Sequence, residues 1–158
     1  MTDNYIGIMI ESLRRKKDVL TDILKLSEEQ SLLLDDPNLE PDTFEKNVNR
    51  KAALIDKLEQ LDTGFESLYD KVKEELESNR DIHKEQIRQM QELIRALTEL
   101  NMQIQAMEAR NKEKATAKFA YIRQQAKEIR SSQKIVKEYY NNMMHKAYNE
   151  PHFLDNKK

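Results

Sequence analysis

Helix-breaking residues are almost absent from this chain of 158 residues, and their scarcity constrains its fold more than any other feature. The sequence contains 2 glycines and 3 prolines. Glycine does not occur after Gly64, and proline does not occur between Pro41 and Pro151. The rest is rich in Glu, Lys, Leu, Gln, Arg, Ile and Ala, which lose little on entering a helix. We therefore predict an all-α chain, folded as an elongated antiparallel helical bundle or coiled coil of three long helices.

Two polar segments interrupt the helical pattern and predict where the helices end. Residues 35–41 contain two prolines among turn-forming acids, which predicts a tight turn. A weaker break is predicted at residues 78–81. Asp42, with Glu45 three residues later, has the spacing of a capping box and predicts the start of the second helix. Apolar residues three and four positions apart predict three helices, at about 4–34, 42–78 and 81–147.

The third predicted helix is too long for the first two to cover. At about 1.5 Å per residue it would extend roughly 100 Å, and the first two helices would reach only to about Lys118. We expect a single helical domain over residues 1–158, with a flexible tail at 149–158 and the third helix overhanging or folding back. An apolar stripe nonetheless continues beyond Lys118. Such a stripe must fold back, self-associate or bind a partner.

The end of this stripe carries four pairs of residues spaced by four positions. The pairs are Ile135-Val136, Tyr139-Tyr140, Met143-Met144 and Ala147-Tyr148. Met adapts to irregular partners and Tyr contributes a large contact area, which is typical of adaptable binding surfaces. We therefore predict a partner-binding surface formed by Ile135, Val136, Tyr139, Tyr140, Met143, Met144, Phe119, Ile122 and Ile129. The alternative is that these residues pack on the protein's own helices.

The chain lacks the residue patterns of catalysis, cofactor binding and metal binding. It has no cysteine, and its 2 glycines are too isolated to form a phosphate-binding loop. Its carboxylates lie in highly charged helical sequence, where solvent would keep a pair from dividing the roles of acid and base. The Glu-x-x-His motif of di-iron bundles is absent, and we expect His83, His145 and His152 at the surface. We predict a non-enzymatic protein with no cofactor and no metal.

Charge is divided along the chain. Residues 18–79 contain 17 acidic and 7 basic side chains, whereas residues 108–146 contain 4 and 10. These regions could pair within one molecule or a homodimer, or the basic region could attract an acidic protein surface. We expect no nucleic-acid partner, because the aromatic residues of the basic region lie on the apolar stripe rather than among the bases. No apolar run approaches the roughly 20 residues of a membrane span and no secretory signal is found, so we expect no membrane insertion and a cytoplasmic location.

Three segments of the chain resemble a known family. Residues 50–65, RKAALIDKLEQLDTGF, and the continuation to residue 72 are similar to the central segment of FlgN-like flagellar export proteins of Gram-positive bacteria. Residues 104–111, IQAMEARN, and residues 139–143, YYNNM, add to the similarity. The resemblance covers about residues 44–144.

The resemblance implies a cytoplasmic all-α chaperone of flagellar type III secretion. Such a chaperone binds unassembled hook-filament junction or cap subunits, prevents their premature polymerisation and delivers them to the export apparatus. The family's substrate surface is assigned to the C-terminal helical region, which agrees with the partner-binding surface predicted from the residues. The alternative function is a homodimeric coiled-coil scaffold or tether, in which the apolar stripes of two chains bury each other.

Overall fold

The computed structural model describes residues 2–127, 137, 139 and 141–143, and its three long helices confirm the predicted all-α fold. Consecutive helices pack antiparallel, and the described residues contain no strand. Within the described part of the chain, no helix combines the length and apolar character that a membrane-spanning segment requires. The helices are α1 at Thr2–Asp35, α2 at Pro41–Ser78 and α3 at Lys84–Ala126.

The connections between the helices lie where the breaker residues predicted them. After α1, the amide of Asp36 donates to the carbonyl of Leu33 at 3.1 Å. Helix α2 begins with Pro41, which suits the first helical position because its missing N–H would have no partner there. Asp42 therefore lies inside the first turn, where its charge favours the helix N-terminus, and does not precede the helix as the predicted capping box requires.

Helix α3 is shorter than the predicted helix at residues 81–147. It begins at Lys84 and ends at Ala126, where the amide of Lys127 approaches two carbonyls of the last turn at 3.2 and 3.3 Å. A straight continuation would place Met143 about 36 Å from Phe119. Both side chains instead belong to one hydrophobic cluster. The third helix therefore does not run straight over residues 81–147, and the contact agrees with the predicted alternative in which the chain folds back. The predicted tail at residues 149–158 lies outside the described residues.

The chain divides into two compact units, each containing part of all three helices. Unit 1 comprises Met1–Asp22 and Leu54–Met102, and unit 2 comprises Ile23–Ala53 and Gln103–Lys158. The expectation of a single domain over residues 1–158 stays a prediction.

Unit 1 has a core built from the apolar stripes that the sequence predicted. Lys16 of α1 pairs with Asp62 of α2 at 2.6 Å, and the Lys71 ammonium lies 5.4 Å from the Tyr5 ring centre. Later residues of α1 thus contact earlier residues of α2, as antiparallel packing requires. Its buried apolar residues are Ile6, Met9, Ile10, Leu13, Val19, Leu20, Ile55, Leu58, Val72, Leu76, Met90 and Leu97.

Two isoleucines of the segment predicted as the third helix are exposed. Ile82 is 74% exposed and Ile94 is 47% exposed. Ile82 precedes α3, within the connection formed by residues 79–83, where the amides of Ile82 and His83 both donate to the Asn79 carbonyl. The helical period does not govern which way a side chain points in such a turn, so Ile82 does not join the buried face of α3.

Candidate functional site

The hydrophobic core of unit 2, termed the aromatic cluster, combines residues from all three helices and from the C-terminal part of the chain. Phe119 lies at its centre, with its ring edge-to-face against Phe44 at 6.4 Å and against Tyr139 at 5.7 Å between ring centres. This geometry is favoured between aromatic rings. The buried members are Leu34, Phe44, Val48, Ala115, Phe119 and Met143, and the partly buried members are Leu33, Leu39, Ile122 and Tyr139.

The aromatic cluster contains every predicted partner-binding residue whose side chain is described. These are Phe119, Ile122, Tyr139 and Met143. Met143 is 4% exposed. The other predicted residues, Ile129, Ile135, Val136, Tyr140 and Met144, lie outside the described residues.

From the lengths of the predicted helices, the apolar stripe beyond Lys118 should lie out of reach of the first two helices. That premise is wrong, because Leu34 of α1 and Phe44 of α2 both pack in the cluster with Tyr139 and Met143. The packing agrees with the alternative interpretation, in which these residues contact the protein's own helices. Partner binding by the same residues stays a prediction.

The Tyr139 side chain brings a polar group into this apolar environment. Its hydroxyl is buried and has no hydrogen-bond partner within the described part of the chain. Burial raises the pKa of the Tyr139 hydroxyl above its ordinary value, and the negative charges of Glu45 and Asp42 raise it further. The folded protein therefore favours the neutral phenol.

Replacing Tyr139 by Phe should cost no stability at neutral pH, because the hydroxyl that is lost is unpaired. Above about pH 10 the unfolded tyrosine loses its proton while the folded one keeps it, so the wild-type free energy of unfolding falls as pH rises. The Tyr139→Phe variant lacks this pH-dependent loss. Its free energy of unfolding should therefore rise relative to that of wild type between about pH 8 and pH 11. Urea denaturation at both pH values measures the difference.

The matched control is Tyr121→Phe, since Tyr121 is exposed on α3. The free energy of unfolding of Tyr121→Phe, relative to that of wild type, should not rise in this way between about pH 8 and pH 11. A loss of stability in Tyr139→Phe at neutral pH would contradict an unpaired hydroxyl.

A buried polar layer lies next to the aromatic cluster in unit 2, and each of the three helices contributes two of its residues. At its centre the ammonium of Lys51, 0% exposed, donates to Oε1 of Glu108, 2% exposed. Ser27 Oγ also donates to Glu108 Oε1, at 2.5 Å. Lys51 Nζ donates to Gln30 Oε1 at 3.3 Å. The layer comprises Ser27, Gln30, Asn47, Lys51, Glu108 and Asn111.

The amides of the buried polar layer tie side chains to the backbone of α1. Asn111 Nδ2 donates to the Ser27 carbonyl at 2.8 Å and to Gln30 Oε1 at 3.1 Å. Asn47 Nδ2 donates to the Leu26 carbonyl at 2.9 Å. Three other buried amide atoms, Gln30 Nε2, Asn47 Oδ1 and Asn111 Oδ1, have no partner within the described part of the chain. The layer is thus only partly satisfied.

Sequence reasoning missed the buried polar layer. Residues 108–118 contain few apolar side chains, so apolar periodicity alone does not indicate a buried face there. Glu108 and Asn111 are nevertheless buried, and they continue the buried stripe of α3 between Ile104 and Ala115. The spacing of four, three and four residues is the signal that could have identified them.

His83 was predicted at the surface, but it is buried. Its ring nitrogens lie 3.3 Å from Gln86 Oε1 and 3.3 Å from Glu75 Oε1. The prediction was wrong because the turn before α3 folds this side chain inward. The described residues contain no group of three or more His, Cys, Asp or Glu side chains that could hold a metal ion. His145 and His152 lie outside the described residues.

Unit 1 contains a second apolar surface, a groove of about 480 Å³. Phe65 and Tyr69 stack within it, with ring centres 6.5 Å apart. Tyr69 and Ile94 on its walls are exposed. The groove is lined by Met9, Phe65, Tyr69, Leu76, Glu77, Arg80, Ile87, Met90, Gln91 and Ile94.

The fold defines an all-α protein of the helical-bundle class, whose unit 2 packs C-terminal residues on all three helices. Residues 1–143 match the family model described as FlgN protein, and the chain belongs to the FlgN family. FlgN proteins are cytoplasmic flagellar export chaperones for hook-associated subunits and are not enzymes. Neither a curated protein nor a solved structure matches the chain. The match to the family model confirms the resemblance found in the sequence.

Proposed function

We propose that this chaperone binds unassembled hook-filament junction or cap subunits through the aromatic cluster and the apolar residues that follow it. Bound in this way, the client's polymerisation helix is unavailable to other subunits, so assembly is suppressed by mass action. The complex then delivers the client to the export apparatus. The client-binding residues are Phe119, Ile122, Ile129, Ile135, Val136, Tyr139, Tyr140, Met143 and Met144.

The observation that supports this proposal is that Tyr139 packs on the Phe119 ring and Met143 belongs to the same hydrophobic cluster. These residues are four positions apart and both are helical, so they present one apolar face. An amphipathic helix that places such a face in a groove is a common mode of peptide recognition. The aromatic cluster of unit 2 can therefore pack against an apolar helical face, and a client helix would bind beside Tyr139 and Met143.

The test is a Tyr139→Ala/Met143→Ala variant titrated calorimetrically with a purified junction subunit and with a purified cap subunit. Two contacts worth about 1 to 2 kcal/mol each should weaken the complex by at least about 30-fold. The matched control is Tyr69→Ala/Ile94→Ala, which removes a tyrosine and an aliphatic side chain from the groove of unit 1. Circular dichroism at the titration temperature establishes that both variants are helical.

The two variants separate the candidate surfaces. Loss of affinity in the control alone would assign the client to the groove of unit 1. Unchanged or tighter binding by Tyr139→Ala/Met143→Ala would mean that these side chains only cover the cluster, and the proposed site would be wrong.

The homodimeric scaffold is the alternative prediction. Light scattering distinguishes it from the chaperone, since a tether should be a dimer whose mass does not respond to flagellar subunits. A chaperone should gain the mass of its client.

A further inference from the structure

The buried polar layer and the aromatic cluster are adjacent along every helix of unit 2. On α1, Gln30 in the layer is followed one turn later by Leu34 in the cluster. On α3, Asn111 is followed by Ala115 in the same way, and on α2 Lys51 lies one turn after Val48. Any separation of the helices at the layer therefore also loosens the packing around the cluster.

Exposure to water has a different free-energy cost for the aromatic cluster than for the buried polar layer. Separating apolar side chains exposes them at a cost proportional to their area. Separating Lys51 from Glu108 breaks a charge-assisted hydrogen bond, but it also restores to each ion the hydration that burial removed. The unpaired amide atoms of Gln30, Asn47 and Asn111 regain hydration at the same time. Local opening at the layer is therefore less costly than opening an apolar layer of equal size.

We propose that the buried polar layer is the point at which unit 2 opens, and that Lys51 and Glu108 set the frequency of opening. The layer keeps the helices paired in one arrangement, and opening there loosens the packing of the aromatic cluster. This inference concerns the free chain and stands independently of the client proposed above.

Hydrogen-deuterium exchange of the full chain tests the proposal. In a Lys51→Met/Glu108→Met variant, apolar side chains of similar length replace the ions, and such replacements of buried ion pairs are often neutral or stabilising. We expect amide exchange in residues 103–118 to slow by at least about fivefold relative to wild type. Exchange in residues 58–76 of unit 1 should be unchanged.

A second variant and a control complete the test. Lys51→Met/Glu108→Gln removes both charges but keeps an oxygen that Ser27 Oγ can reach, and exchange in residues 103–118 should also slow. The control is Lys114→Met/Asp35→Asn, which removes the partly exposed pair joined at 2.8 Å in the same unit and should leave exchange unchanged.

The possible results are distinct. The proposal is supported if exchange slows in Lys51→Met/Glu108→Met or in Lys51→Met/Glu108→Gln and does not slow in the control. Faster exchange in both uncharged variants, or loss of their folded state, would overturn the proposal, because the ion pair would then hold unit 2 closed. Unchanged exchange in both would overturn it as well, because Lys51 and Glu108 would then not set the frequency of opening.

Discussion

Replacing Phe119 by Ala is expected to lower the free energy of unfolding by about 3 to 5 kcal/mol, the usual cost of removing a buried aromatic ring. Phe119 is almost completely buried and contacts the rings of both Phe44 and Tyr139. Its removal leaves a cavity that the surrounding helices can fill only in part. Urea denaturation followed by circular dichroism measures the loss.

The matched control for this prediction is Tyr121→Ala, an aromatic truncation two residues away on α3. Tyr121 is 62% exposed, so its removal should change stability by no more than about 0.5 kcal/mol. Equal losses in the two variants would contradict the central position of Phe119 in the core of unit 2.

Replacing Lys51 alone by Met is expected to lower the free energy of unfolding by about 3 to 5 kcal/mol as well. The reason differs, because little volume is lost. Glu108 would remain buried without the ammonium that neutralises it, and the Ser27 hydroxyl would still donate to its carboxylate. The same denaturation experiment at neutral pH measures this loss.

A surface lysine supplies the comparison. Lys114 pairs with Asp35 at 2.8 Å, but both side chains are partly exposed. Lys114→Met should therefore cost less than about 1 kcal/mol. If Lys51→Met costs equally little, Glu108 must reach solvent or another donor, and the burial of the pair would be in doubt.

Much of the fold follows from local sequence signals. The prolines at residues 37 and 41 end α1 and begin α2 close to the predicted positions, since backbone sterics act regardless of what packs nearby. Gly64 lies within α2 and does not interrupt it, as expected for one weak helix former in a long helix. The apolar residues of α1 that were assigned to one stripe, such as Ile6, Met9 and Leu20, are buried.

Other features depended on which helix lies opposite. The partner of Glu108 is Lys51, 57 residues away in the sequence. The sequence around each residue does not distinguish it from the many exposed acidic and basic residues. Tyr139 and Met143 were identified from the sequence as one apolar face, but their place in one cluster with Phe44 and Leu34 could not be anticipated from it. Helical periodicity fixes the side of a helix on which a residue lies. Whether that side meets water, a charge or another helix is decided by packing between residues far apart in the chain, and only the tertiary structure specifies that packing.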